Sequence, residues 1–211
     1  NEPPTDFSIA TELDALDRAA DAAGFEHFHL YGHSGGGAVA LGYAAARGDR
    51  LTSLAVDEPA SDFTPEGNKV YGWPEFDKAL TLPPAEAMNA FMRLQVAQDV
   101  QLPEPPEGPP PAWMAMRPAG IRAFAAAIRE HQIAPYEYAR FTAPVYFSRG
   151  SRTHPRWAAM QERLGLLFPD FTGEVFDGLH HLNTSHQAEP DRVALALLNF
   201  WERAEGLALD G

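Results

Sequence analysis

The stretch Gly32-His33-Ser34-Gly35-Gly36-Gly37 constrains this chain more than any other. An alternating apolar run, Phe25 to Tyr31, precedes it, and a small-residue helical run, Ala38 to Arg47, follows. A strand that turns sharply into a helix over G-x-S-x-G lifts one serine hydroxyl clear of the sheet edge. Glycines belong there because side chains would collide. Gly32 and Gly36 let the flanking backbones approach, and Gly35 leaves a bare backbone N–H beside Ser34 at a helix N-terminus, where developing negative charge is favoured. A glycine-rich turn at a helix start can instead cradle a phosphate. Neither the Lys-Ser/Thr pair of a P-loop nor the G-x-G-x-x-G spacing of a dinucleotide site accompanies it here.

Upstream, Ile9, Leu13, Leu16, Ala20 and Ala23 recur at helical spacing, with Thr5, Asp6 or Ser8 as N-cap and Gly24 as the stop. His27 and His29 share one parity of the following strand and read as strand-face or edge residues before metal ligands. Gly48 closes the serine helix. Leu51 to Val56 is a short β-leaning run that ends in Asp57-Glu58-Pro59, where Pro59 is expected to hold Glu58 extended and stop the strand. Two carboxylates thus sit at a strand's C-terminal end, the rim where ligands and catalytic groups collect in open parallel sheets.

From about residue 60 to 140 prolines and glycines become frequent, and Leu102 to Pro111 is too proline-dense for helix or central strand. Two helices are read there. One starts at Pro84, with Ala87, Met88, Phe91 and Leu94 on a face; the other starts at Pro118, with Ile121, Phe124, Ala125 and Ile128. Met88, Met92, Met114 and Met116 lie in this region with Trp73, Phe76, Phe91, Trp113 and Phe124, as a core of its own or as an adaptable substrate lining. Strand texture returns at Ala143 to Ser148. A helix with Trp157, Met160 and Leu164 follows, then a strand from Thr172 to Phe176. A last helix opens at Pro190, with Val193, Leu197, Leu198, Trp201 and Ala204 inward and Gly206 at its end. Strands alternating with helices predict an α/β fold, a mostly parallel sheet with flanking helices and a helical insert.

A chain of 211 residues, 45% hydrophobic, can bury a core of one domain with a subdomain. Its formal charge of -13 argues against nucleic acid and anionic membranes as partners. Without cysteine there is no disulfide, thiolate nucleophile or Cys-ligated zinc. Neither a signal peptide nor a membrane span is read, so a cytoplasmic location is expected.

A serine nucleophile needs a base, and the base needs a group that fixes its tautomer. His180 and His181 follow the last strand on the same rim as Ser34; His181 is favoured and His180 is the alternative. His181 and His186 could instead share a metal, but no further ligand cluster supports this, so no metal and no cofactor are expected. The loop Arg149 to His154 holds no carboxylate, which leaves Asp57 and Glu58. Glu58 is favoured for its position and reach.

The order Ser34, Glu58, His181, the Gly-His-Ser-Gly-Gly turn, the insert after the second strand and the closing histidine loop resemble the alpha/beta-hydrolase superfamily over nearly the whole chain. The resemblance implies a hydrolase core over 1–60 and 141–211, a helical cap or lid over 61–140, and an acid after the strand that follows the nucleophile helix. It implies a serine hydrolase cleaving a carbonyl ester, or less readily an amide, lactone or C–C bond, of a hydrophobic small molecule. A non-catalytic binding protein on the same fold and a cofactor-free haloperoxidase-like enzyme are the alternatives. The family carries several strands before the first helix read here, and one of their loops gives a second oxyanion N–H. In this chain Gly35 alone is assigned to that hole. The N-terminal strands are therefore expected in an upstream segment or a companion chain that completes the sheet beside Phe25 to Tyr31.

Overall fold

Four parallel strands form one sheet in the order β1 (Phe28–His33), β2 (Leu51–Asp57), β3 (Val145–Gly150) and β4 (Phe171–Phe176). The structure is a computed structural model that describes residues 4–69, 71, 73–104 and 116–206. Its helices are α1 (Ile9–Ala22), α2 (Ser34–Arg47), α3 (Pro65–Lys69), α4 (Trp73–Leu80), α5 (Pro84–Arg93), α6 (Arg117–Glu130), α7 (Pro135–Ala139), α8 (Arg156–Leu167), α9 (Ser185–Ala188) and α10 (Pro190–Ala204). Trp113, Met114 and most of the proline-dense run lie outside the described residues.

Ser8 is the N-cap of α1 and exchanges bonds with Thr11 in a capping box, a device that contributes about 1 kcal/mol. The strand after it starts at Phe28, three residues later than the hydropathy pattern suggests. The reason lies in the helix end: Gly24, at φ +76, and Phe25 donate their amides back to Asp21 and Ala20, so these residues close α1 and cannot join a ladder. At its other end β1 runs through Gly32 and His33, and α2 begins at Ser34 itself, four residues before the expected start.

Alternation sorts the strand side chains onto two layers. Leu54, Val56, Val145 and Phe147 pack with Leu41, Tyr43, Trp157 and Leu164 of α2 and α8. Ala55, Tyr146 and Phe176 pack on the other face with Val193, Leu197 and Phe200 of α10. Phe200, spaced i+7 from Val193, takes the inward place expected of Leu198, which is 53% exposed. Leu198 is one residue past Leu197, and that step turns it off the covered stripe.

β1 pairs with β2, and no strand among the described residues pairs with its other edge. Between β2 and β3 the described residues form five helices, three more than periodicity reveals. The unpredicted ones, α3, α4 and α7, have 5, 8 and 5 residues, too short for a repeat to show. The register sets His33 beside Asp57 and Asp57 beside Ser148, so the C-terminal ends of three strands meet on one rim.

Candidate active site

Ser34 sits at the junction of β1 and α2 with φ 52, a left-handed conformation that costs a non-glycine residue about 1–3 kcal/mol. The turn is held by close backbone packing. A Cβ on Gly32 would lie 2.5 Å from the Gly36 carbonyl oxygen, and one on Gly37 3.0 Å from Pro59. Among the described residues nothing stands where a Gly36 Cβ would lie, so the tight approach expected of Gly32 and Gly36 belongs to Gly32 and Gly37. Because α2 starts at Ser34, its first amides, that of Gly35 among them, have no acceptor within the helix.

Ser34 Oγ lies 3.0 Å from His181 Nε2, and His181 Nδ1 lies 2.6 Å from Glu58 Oε2. The Gly150 amide donates to Glu58 Oε1 at 2.7 Å, which fixes the second carboxylate oxygen. Glu58 adopts φ 44 rather than the extended geometry expected before proline. The chain must reverse there: the Ala60 amide donates to the Ser34 carbonyl at 2.8 Å, and the turn aims the carboxylate back over the rim. Burial raises the Glu58 carboxyl above its ordinary range, opposed by the Gly150 N–H. Burial first, and then the charge of Arg156, push the His181 imidazole down.

The neighbouring candidates do other work. Asp57 accepts from Ser148 Oγ at 2.8 Å and Ser185 Oγ at 3.0 Å, a buried clamp between β2, β3 and α9. His180 turns into its own loop, its amide donating to Asn183 Oδ1 and its Nδ1 accepting from the Leu182 amide. His186 lies by Thr184, Tyr31 and Asp57 and shares no ligand position with His181. Among the described residues one His/Asp/Glu group has atoms close enough to hold a cation, namely His33, Glu58 and His181, within 4.8 Å of one another. Two of its members are already bonded to each other. His29 sits on β1 as expected, between Ser53 Oγ and Glu205, and His27 falls before the strand.

Three partners of the site were not legible in the sequence. The His181 ring stacks on His33 at 5.0 Å on one hand and on Trp157 at 4.6 Å, 17° from parallel, on the other. Trp157 is fully buried and donates Nε1–H to the Pro59 carbonyl at 2.8 Å. Its helical spacing marked it as core, and nothing local shows that it backs an imidazole. His33 is the unspecified residue of the motif; burial, with the neighbouring His181, lowers it to about 4. Gly150 was placed in the loop after the third strand, although its amide is the last of β3.

A cavity of about 660 Å³ opens over Ser34, Gly35 and His181. Its wall is largely apolar: Tyr71, Phe76, Met88, Phe91 and Met92 from the α4–α5 side, and Ile121, Phe124 and Ile128 from α6. A serine, an imidazole and a carboxylate in hydrogen-bonded sequence beneath an apolar cavity can carry out acyl transfer.

The profile of the alpha/beta hydrolase family matches residues 1–197, and the chain belongs to that family. No curated protein matches it. Solved structures with the same fold include proline iminopeptidase of Mycobacterium smegmatis, 19% identical over 96% of this chain and 74% of that one, with TM-score 0.61. Est816, described as an N-acyl homoserine lactone degrading enzyme, is 16% identical over 95% of this chain and 77% of its own, with TM-score 0.69. Carboxylesterase CesB of Bacillus subtilis is 19% identical over 92% and 66%, with TM-score 0.58. The chain spans 64% to 80% of the length of the structures it resembles. No helix among the described residues is long and apolar enough to cross a membrane.

Proposed function

We propose that this hydrolase-family chain is a serine hydrolase that cleaves a carbonyl ester of a hydrophobic small molecule. The observation that carries the reading is the continuous chain of contacts from Ser34 Oγ through His181 to Glu58, capped by the Gly150 amide. Ser34 attacks the carbonyl carbon while His181 Nε2 takes its proton, and the same proton passes to the departing alcohol. Glu58 holds the imidazole tautomer and stabilises its cation. Water then attacks the acyl-Ser34 ester with His181 again as base. The Gly35 N–H stabilises the oxyanion of both steps. Esterase, lactonase and peptidase neighbours on this fold are compatible with such chemistry.

Residues 61–140 act in this reading as a cap whose helices supply the apolar wall. A wall of four aromatic rings and two methionines favours medium acyl or aryl groups. Turnover of p-nitrophenyl esters of rising chain length tests this. Rates are expected to rise from acetate to octanoate and to vanish in Ser34→Ala. Turnover retained in Ser34→Ala would move the chemistry elsewhere, and binding of such esters without any turnover would make the chain a ligand-binding protein instead.

A further inference from the structure

Arg156 is buried, 9% exposed, at the first turn of α8. Among the described residues its hydrogen bonds run to neutral acceptors: Nη1 donates to the Leu94 carbonyl at 3.1 Å and Nη2 to Gln95 Oε1 at 2.6 Å, while the buried Nε has no partner there. Taking a guanidinium out of water without a bonded carboxylate is costly, and an apolar residue of the same volume would fill the space without that cost. The charge therefore calls for a use beyond packing.

The contacts of Arg156 reach two places at once. On the cavity side it lies 5.2 Å from the Tyr71 ring and holds Gln95, and both residues line the cavity. On the other side its guanidinium carbon is 4.0 Å from the Trp157 ring, the same indole that stacks on His181. The backbone around it is laced in the same direction. The Ala97 amide donates to the Arg152 carbonyl, the His154 amide and the Thr153 hydroxyl donate to the Gln95 carbonyl, and Val96 bridges Thr153. We infer that Arg156 is a positioning residue that ties the Tyr71 and Leu94–Gln95 wall of the cavity to the indole backing His181, so that one side chain sets both the substrate wall and the base. This rests on the proposed role of His181.

Two separate readouts follow. Loosening the wall weakens binding of long acyl groups and raises KM. Removing the charge acts on the base, because a cation near His181 opposes formation of the imidazolium. The groups that bear on that ring are Ser34, His33 with His186 beyond it, Glu58, Asp57, His180, Trp157 and Arg156. The base must be neutral to accept the Ser34 proton, so easier protonation moves the acid limb of kcat/KM to higher pH.

The test compares Arg156→Met, which keeps the bulk and loses the charge, with Arg156→Lys, which keeps the charge and loses the planar fork. For p-nitrophenyl octanoate, Arg156→Met is expected to raise KM about tenfold and to move the acid limb up by about half a pH unit or more. Arg156→Lys is expected to raise KM while the limb stays in place. Titration of the His181 imidazole by NMR in the wild type and Arg156→Met gives the same comparison without turnover. If the wild type neither turns over esters nor reacts at Ser34, the hydrolase reading fails, and the imidazole titration still decides the coupling. A wild-type KM for octanoate in both variants, or an unmoved imidazole titration in Arg156→Met, overturns the inference. Should Arg156→Met not fold, Arg156→Lys with a wild-type KM overturns it as well.

Discussion

Asp57 and Glu58 are neighbours in sequence and diverge completely in use, because a left-handed turn at Glu58 sends the two carboxylates to different partners. Glu58→Gln is expected to lower kcat by on the order of a thousandfold or more, since His181 loses its tautomer control and the carboxylate that stabilises its cation. Asp57→Asn is expected to keep turnover within about tenfold and to cost about 1–3 kcal/mol in urea unfolding, because an amide cannot accept from both Ser148 and Ser185 as the carboxylate does. The opposite pattern would exchange their roles. Ser34, Glu58 and His181 could be picked out because each carries a local sign: a glycine-bounded turn for Ser34, a carboxylate-free loop and a strand-ending proline that narrow the acid to Asp57 or Glu58, and a place just after the last strand that His181 shares with His180. Trp157 and Arg156 were not. Their relation to His181 depends on how α8 docks beneath the rim, and a helical apolar period reports burial without naming the neighbour.

Among elements, the β1–α2 turn is where sequence and structure meet most closely, yet the glycines do not share one job. Gly32→Ala puts a methyl group within 2.5 Å of the Gly36 carbonyl oxygen, a backbone atom that cannot yield, and is expected to cost about 1–3 kcal/mol and to lower the melting temperature. Gly36→Ala meets nothing within 4 Å among the described residues and lies in a helix, where alanine is better than glycine by up to about 1 kcal/mol, so its stability should be unchanged or higher. Thermal melts of the two variants check this; equal losses in both would mean that the turn packs differently. The long elements, α1, α2, α5, α6, α8 and α10, were legible from period and caps. Short helices α3, α4 and α7 were not, since a run of 5 to 8 residues spans little more than two turns and tertiary contacts decide its form.

At the scale of the whole molecule, two consequences follow from what is buried and what is left open. His33, His131, His154, His180 and His181 all sit below the ordinary histidine value, with burial the largest cause in each. The unfolded chain takes up protons near pH 6.5 that the native chain refuses, so this stability is complete above that value and is lost as pH falls toward about 4, where His33 titrates. Glu58, raised above 4.5, acts in the opposite sense: its native form keeps a proton that the unfolded chain releases as pH rises past 4.5. Five histidines outweigh one carboxyl, and the urea midpoint should be lower at pH 5 than at pH 7.5; an equal or higher midpoint at pH 5 would contradict this. The outer edge of β1 flanks a cavity of about 360 Å³ lined by Phe7, Leu16, Leu30, Val39 and Phe124 beside Gly35, an apolar edge suited to a further strand. We propose that an upstream segment or companion chain completes the sheet there and brings a second oxyanion donor; native mass spectrometry showing a fully active lone chain of these 211 residues would contradict it. The central claim, an activated serine at position 34, is tested most directly by intact mass after reaction with a fluorophosphonate. The account predicts one adduct per chain, mapped to Ser34 and absent from Ser34→Ala. No adduct, or an adduct at another residue, would contradict it.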